Sequence, residues 1–92
     1  MSDRTWLIEA EIMPKRGVND PQGDVIKGSL DALGFAGVGQ VRCGKVIRIQ
    51  VTAPSVERAR AEGTAMCDKL LANPVIEEYT LSVSTAEGEN TR

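Results

Sequence analysis

The residue types that usually perform chemistry at neutral pH are scarce in this sequence of 92 residues, which contains no histidine. Histidine is the commonest general acid or base near pH 7, so acid–base catalysis would fall to carboxylates, lysines, the single tyrosine or the two cysteines. Glu9 and Glu11 fall on the polar side of an alternating strand, and Glu77 and Glu78 point to opposite sides of another. All four carboxylates are therefore predicted to be solvated charges.

Neither cysteine is placed for nucleophilic or metal chemistry. Cys67 lies in the apolar stripe of a predicted helix, far from a helix start that would lower its pKa, and no set of residues has metal-ligand spacing. Small disulfide-bonded domains normally use more than two cysteines. Cys43 and Cys67 are therefore expected to be reduced, buried thiols.

The glycines of LGFAGVGQ, residues 33–40, follow a helix and enter a strand. This order is the reverse of the strand-to-helix order that directs backbone amides at a phosphate, so no phosphate loop is predicted. Arg42 and Lys45 flank Gly44, where they are suited to an anion or a partner's carboxylate, or are ordinary surface charges. The residues alone indicate a small non-catalytic domain that works with a partner.

Composition narrows the function classes further. The net charge is -2, with 11 basic and 13 acidic residues and 3% aromatics, and no basic run occurs, which argues against nucleic acid or an anionic membrane as a partner. No apolar run approaches the ~18 residues of a membrane span, and no signal peptide is apparent, so a cytoplasmic location is expected. A single domain of this length has a modest core, burying about 60 to 65% of its extended surface.

The stretch over residues 38–52, VGQVRCGKVIRIQVT, has the longest clean two-residue period in the sequence, with apolar side chains at most odd positions. A tight turn at Gly44 would scramble both faces, whereas a three-residue loop would keep them by pairing Val41 with Ile47 or with Ile49. Alternatively, one strand of about a dozen residues, roughly 40 Å long, runs straight, kinks at Gly44 and completes the sheet of a second copy. Both interpretations stay open at this point.

Turn and capping residues delimit the other elements. Asp20 and Pro21 begin a helix, because the Asp side chain accepts from free amides of the first turn and Pro fits the first helical position. Gly63 costs about 1 kcal/mol relative to Ala inside a helix, so a close approach to its backbone is expected. The predicted elements are a strand over 5–13, a helix over 21–33, the central stretch, a helix over 56–72 and a strand over 75–83.

Both helices carry an apolar stripe that is predicted to lie on the sheet. The stripes are Val25, Ile26, Ser29, Leu30 and Leu33 in the first helix, and Val56, Ala59, Gly63, Met66, Cys67, Leu70 and Leu71 in the second.

The predicted fold class is therefore α+β: a two-layer βαβαβ domain, related to the ferredoxin-like unit, with an antiparallel-type sheet and both helices on one face. Residues 1–83 are expected to form the single domain and residues 84–92 a disordered tail. A straight central strand would let two chains exchange halves as an intertwined dimer.

Four segments, in order and with their spacing, resemble the small PurS subunit of phosphoribosylformylglycinamidine synthase. They are DPQG at residues 20–23, LGF at 33–35, VRCGK at 41–45 and MCDKLLANPVIEEY at 66–79. The resemblance covers the chain from about residue 6 to residue 83.

The resemblance implies an accessory role in purine synthesis, in the step that transfers glutamine amide nitrogen to formylglycinamide ribonucleotide with ATP hydrolysis. In the family, a glutaminase subunit releases ammonia, a large synthetase subunit binds ATP and Mg²⁺, and the small subunit, as a dimer, bridges the two. For this chain it implies no catalytic residue, no cofactor, and a homodimer or tetramer. It also implies partner-docking surfaces, assigned to Arg42, Gly44, Lys45, Asn73, Pro74, Glu77 and Tyr79.

Two other classes of protein share such a fold. An ACT-like regulatory domain binds amino acids at a dimer interface but usually belongs to a longer chain. An acylphosphatase-like enzyme needs an Arg in a glycine-containing loop after the first strand, for which Arg16 and Gly17 offer only a faint match.

Overall fold

Three antiparallel strands and two helices make up residues 3–86, the part of the chain that the computed structural model describes. The sheet has the order β2-β1-β3, with β1 antiparallel to both neighbours, which confirms the α+β class. The elements are β1 (Arg4–Pro14), α1 (Pro21–Ala32), β2 (Lys45–Ala53), α2 (Val56–Met66), continued by a π-helical turn (Cys67–Leu71), and β3 (Glu77–Thr85).

The predicted helix ends form as their local chemistry requires. Asp20 caps α1 by accepting from the amide of Gly23 at 2.9 Å, and Ser55 caps α2 by accepting from the amide of Arg58 at 3.1 Å. Gly34 follows α1 with a φ of 99°, a conformation that glycine adopts without steric penalty.

The core lies between α2 and one face of the sheet. Ile8 and Ala10 of β1 are fully buried there, and a Cβ added to Gly63 of α2 would lie 3.1 Å from Cγ2 of Ile8. The close approach expected at Gly63 is thus confirmed. The buried side chains are Trp6, Ile8, Ala10, Ile12, Ala53, Ala59, Cys67 and Ala72.

Helix α1 does not cover this sheet, so the prediction that both helices lie on one face is wrong within a single chain. Val25 and Leu33 of its apolar stripe are 69% and 73% exposed, and Phe35 beyond it is 57% exposed. The radius of gyration is 17.1 Å, against about 12 Å for a compact domain of this length. The helical period predicts that one face is buried, but it does not say against which molecule.

The hairpin interpretation of the central stretch is also wrong. Ile47 and Ile49 pair with Ala10 and Ile8 of β1, not with Val41, and residues 41–44 belong to no strand of the described chain. Only β2, the second half of the stretch, joins the sheet of its own chain. The connecting segment before it lies against the end of β1.

The chain departs from prediction at two further points. Leu70, expected in the core, is 81% exposed, because the amide of Ala72 donates to the carbonyl of Cys67 at 3.0 Å and this π-type turn rotates Leu70 outward. Strand β3 continues to Thr85, two residues into the predicted tail over 84–92, of which 87–92 lie outside the described residues.

Neither helix in the described range is long and apolar enough to cross a membrane.

Candidate partner-docking site

The seven residues predicted to dock partners gather at one end of the sheet, around the last residues of β1. Ile12 pairs with Lys45 of β2 on one side and with Tyr79 of β3 on the other, and Pro14 pairs with Glu77. The sequence suggests two separate docking surfaces, whereas the sheet register brings them together across β1. Their docking role itself stays a prediction.

On the β2 side, the backbone before the strand is pinned to the end of β1. The guanidinium of Arg42 donates to the carbonyl of Pro14 and lies 3.9 Å from the carboxylate of Glu78. A Cβ on Gly44 would overlap Sδ of Met13 and the carbonyl oxygen of Ile12, so only glycine fits there. Arg42 therefore fixes the segment before β2 to the end of β1. Gly44 lets the backbone of that segment approach β1 closely.

On the β3 side, a hydrogen-bonded turn connects the π-helical turn to the strand. Asn73 Oδ1 accepts from the amide of Val75 at 3.0 Å, and Glu77 Oε1 accepts from the amide of Asn73 at 2.8 Å. Lys15 Nζ donates to the carbonyl of Pro74 at 2.6 Å and ties the turn to the loop after β1. These bonds hold the turn in one conformation.

Sequence reasoning missed the apolar patch, which we define as Leu70, Val75 and Ile76. These side chains are 81%, 77% and 43% exposed and lie on both sides of the Asn73–Pro74 helix stop. Leu70 was expected in the buried stripe of the second helix. Exposed apolar side chains on a fixed turn are typical of an interaction surface.

Hydrogen bonds and burial set the protonation of two side chains nearby. The hydroxyl of Tyr79 donates to Oδ1 of Asp68 at 2.8 Å, and this bond, with burial and the Asp68 charge, raises the pKa of the tyrosine. Burial, followed by the Asp68 charge, raises the pKa of the Cys67 thiol, so the nucleophilic thiolate is disfavoured. Both cysteines are free, but only Cys67 is buried as expected, whereas Cys43 is partly exposed.

Asp20, which is not among the seven predicted docking residues, makes two hydrogen bonds beside them. Besides capping α1 through Oδ1, it accepts from the amide of Cys43 through Oδ2 at 2.9 Å. Its pKa is lowered by the bonds from Gly23 and Cys43 and, to a smaller extent, by the positive charge of Arg42, against a partial desolvation. A cavity of about 410 Å³ opens beside it. Its lining is Pro14, Val18, Asn19, Asp20, Pro21, Gln22, Cys43, Ile76 and Glu77.

The carboxylates considered for catalysis are paired or solvated. Glu9 lies 3.1 Å from the guanidinium of Arg48, Glu11 is exposed, and Glu77 and Glu78 take part in the contacts above. No three His, Cys, Asp or Glu side chains among residues 3–86 are placed to share a metal ion. The fold and the site define a small two-layer α+β domain with exposed apolar side chains at the turn before β3.

Comparison with known proteins identifies the family. The model of the PurS family, phosphoribosylformylglycinamidine (FGAM) synthase, matches residues 7–85. The PurS subunit of Archaeoglobus fulgidus is 48% identical over 75 residues, covering 82% of this chain and 94% of that protein. The PurS subunit of Synechocystis is 44% identical over 71 residues, covering 77% and 71%.

Solved structures agree with the sequence matches. The purS subunit of Thermotoga maritima superposes with a TM-score of 0.82 at 28% identity, covering 91% of this chain and 97% of that one. A chain of the PurLQS structure from Thermotoga maritima gives a TM-score of 0.79 at 30% identity, covering 87% and 98%. The chain belongs to the PurS family and is an accessory subunit of phosphoribosylformylglycinamidine synthase. This match favours the PurS resemblance over the ACT-like and acylphosphatase-like hypotheses.

Proposed function

We propose that this chain, as a homodimer, bridges the glutaminase and synthetase subunits of phosphoribosylformylglycinamidine synthase and supports ammonia transfer between them. In this proposal the synthetase subunit binds ATP and Mg²⁺, the present chain binds no cofactor, and the complex works in the cytoplasm. The observation that carries the proposal is the match to a chain of the PurLQS structure over 87% of this sequence. The absence of histidine fits a subunit that supplies contact surface rather than acid–base chemistry.

The apolar patch and the Asn73–Glu77 turn form the docking surface in this proposal. Leu70 and Val75 are more than three-quarters exposed, and burying them against another subunit removes apolar surface from water. The turn that presents them is held by hydrogen bonds, so little conformational entropy is lost on binding. Arg42, Gly44 and Lys45 lie across the end of β1 from this surface and extend it.

Self-association follows from the features that the single chain leaves uncovered. The apolar stripe of α1 is exposed, residues 38–44 have no strand partner, and the outer edge of β2 is unpaired within the described sheet. If residues 38–44 of one copy lie along β2 of a second copy, α1 reaches the partly buried side chains of Ile47, Ile49 and Val51 of that copy. Two chains then complete two ferredoxin-like units by exchange. The open edge of β3 allows two such dimers to pair as a tetramer.

Co-purification tests the bridging role. Tagged wild-type protein is expected to retain the synthetase and glutaminase chains, with and without glutamine and ADP, and to raise glutamine-dependent turnover. The variant Leu70→Asp, Val75→Asp is expected to lose at least one partner, because it places charges in the apolar patch. The matched control is Ala61→Asp, at an exposed position of α2. Full glutamine-dependent turnover without this chain would contradict the proposal.

A further inference from the structure

The backbone segments that precede and follow α1 lie next to each other at Asp20. We define the arm as residues 21–44, which comprise α1 and the connecting segment to β2. Asp20, immediately before the arm, accepts from the amide of Gly23 at its start and from the amide of Cys43 at its end, each at 2.9 Å. One carboxylate therefore ties together the two ends of the arm.

Backbone packing at this point is close. A Cβ on Gly23 would overlap the carbonyl oxygen of Val41, so α1 and the connecting segment touch through their main chains. The side chain of Arg42 donates to the carbonyl of Pro14, which anchors the same segment to the end of β1. The two ends of the arm are thus in contact with each other, and the C-terminal end is also hydrogen-bonded to the sheet.

This attachment affects whether the chain folds as a closed monomer or in the open form that exchanges segments with a second copy. In a closed monomer, residues 38–43 would turn back along the outer edge of β2 of their own chain, and the Cys43 amide would have to leave Asp20. In the open form that the structure shows, α1 stays off its own sheet with Val25 and Leu33 exposed. The bond between Asp20 and Cys43 is made in this open form.

We propose that Asp20 is the positioning residue that holds the arm open and so commits the chain to exchange with a second copy. The inference rests on the proposed homodimer, and it adds which residue directs the exchange. The capping bond to Gly23 stabilises α1 in either form, whereas the bond to Cys43 is specific to the open one. Removing only the second bond should therefore weaken self-association and leave helix formation intact.

The test separates the two bonds. In Asp20→Ser a single hydroxyl still caps α1 but no second oxygen reaches Cys43, and Asp20→Asn keeps one carbonyl oxygen for the cap while its amide group faces the Cys43 amide. Asp24→Asn removes the same charge from an exposed position in the first turn of α1 and is the control. Sedimentation equilibrium gives the dimer dissociation constant, and NMR hydrogen exchange reports on the Cys43 amide.

Both Asp20 variants are expected to raise the dissociation constant about ten-fold or more, since a bond to a charged acceptor is lost in each chain of the dimer. The Cys43 amide should exchange faster, and Asp24→Asn should match the wild type. A wild-type dissociation constant in both variants, with faster Cys43 exchange, would overturn the role of Asp20 and leave the homodimer standing. A wild-type chain that is a monomer at all concentrations would overturn the homodimer and this inference with it.

Discussion

Individual polar side chains in this small domain hold distant parts of the backbone together. The buried indole of Trp6 donates to the carbonyl of Ala53 at 3.0 Å, joining the start of β1 to the end of β2. At the opposite end of the sheet, Arg42 donates to Pro14 and Lys15 to Pro74. Every buried side-chain nitrogen or oxygen of the described residues has a hydrogen-bond partner, so no unsatisfied group offsets these contacts.

Substitution of Gly44 by Ala is expected to destabilise the protein by about 1 to 3 kcal/mol, because the new methyl group overlaps Met13 and the backbone of Ile12. Gly28→Ala is the control: its Cβ meets nothing within 4 Å, and it should stabilise by about 0.5 to 1 kcal/mol as a helix-interior glycine replacement. Urea unfolding measures both free energies. Equal stability of the two variants would contradict the close packing at Gly44.

Acid should remove the contribution of Asp20 to the free energy of unfolding. Its pKa in the folded protein lies below the ordinary value of 3.8, so its carboxylate contributes stability that is present above pH 3.8 and is lost as the pH falls through the lower, folded-state pKa. Asp20→Asn should flatten this part of the stability profile, and Asp24→Asn should leave it in place. Urea midpoints measured between pH 5 and pH 2.5 report it. An unchanged acid profile in Asp20→Asn would show that the carboxylate is not stabilised by folding.

The two helices differ in how they use their small and apolar residues. Ala59 and Gly63 let the backbone of α2 approach β1 closely, and both are buried. In α1, Val25 and Leu33 of the apolar stripe are exposed in the single chain. An amphipathic helix of this kind is stabilised chiefly by what it packs against, so α1 should depend on the second copy more than α2 does.

Leu33→Gln is expected to weaken self-association by about 1 to 2 kcal/mol, because it removes most of one buried apolar side chain from each interface. Asp24→Gln, at an exposed position of the same helix outside the apolar stripe, is the control. Both variants should behave alike as monomers, since Leu33 is 73% exposed in the single chain. Sedimentation at micromolar concentration distinguishes them, and equal dissociation constants would remove α1 from the interface.

The whole molecule is too extended for an independent globular domain. Its principal dimensions are 57 × 33 × 15 Å, and its radius of gyration of 17.1 Å exceeds the compact value by about 40%. A chain of 92 residues has little buried surface to offset its conformational entropy. Leaving the apolar face of α1 in water makes this balance worse. Stability should therefore come in part from association.

Thermal unfolding is accordingly expected to depend on protein concentration, with the midpoint rising as the concentration increases, as mass action requires for a folded oligomer. Light scattering on the folded sample should give at least twice the monomer mass of 9.9 kDa. A concentration-independent midpoint together with a mass of 9.9 kDa would show that α1 is stable while exposed.

Much of the fold was predictable because its signals are local. Asp20 and Ser55 cap the helices they were expected to cap, and the even-numbered residues of β1 from Trp6 to Ile12 form its buried face. The docking residues were assigned through the family resemblance. Nothing local indicated that Leu70 is exposed, because its rotation depends on the π-type bond between Ala72 and Cys67.

The amino-acid sequence alone determined the order of the elements, the buried face of β1 and the family, because capping, alternation and motif spacing are properties of neighbouring residues. Only the tertiary structure decided that residues 41–44 run against the end of β1 instead of forming a hairpin, and that α1 leaves its own sheet. A periodic pattern specifies that a face avoids water. Which surface covers that face depends on contacts between residues far apart in the chain, such as the bond from Cys43 to Asp20.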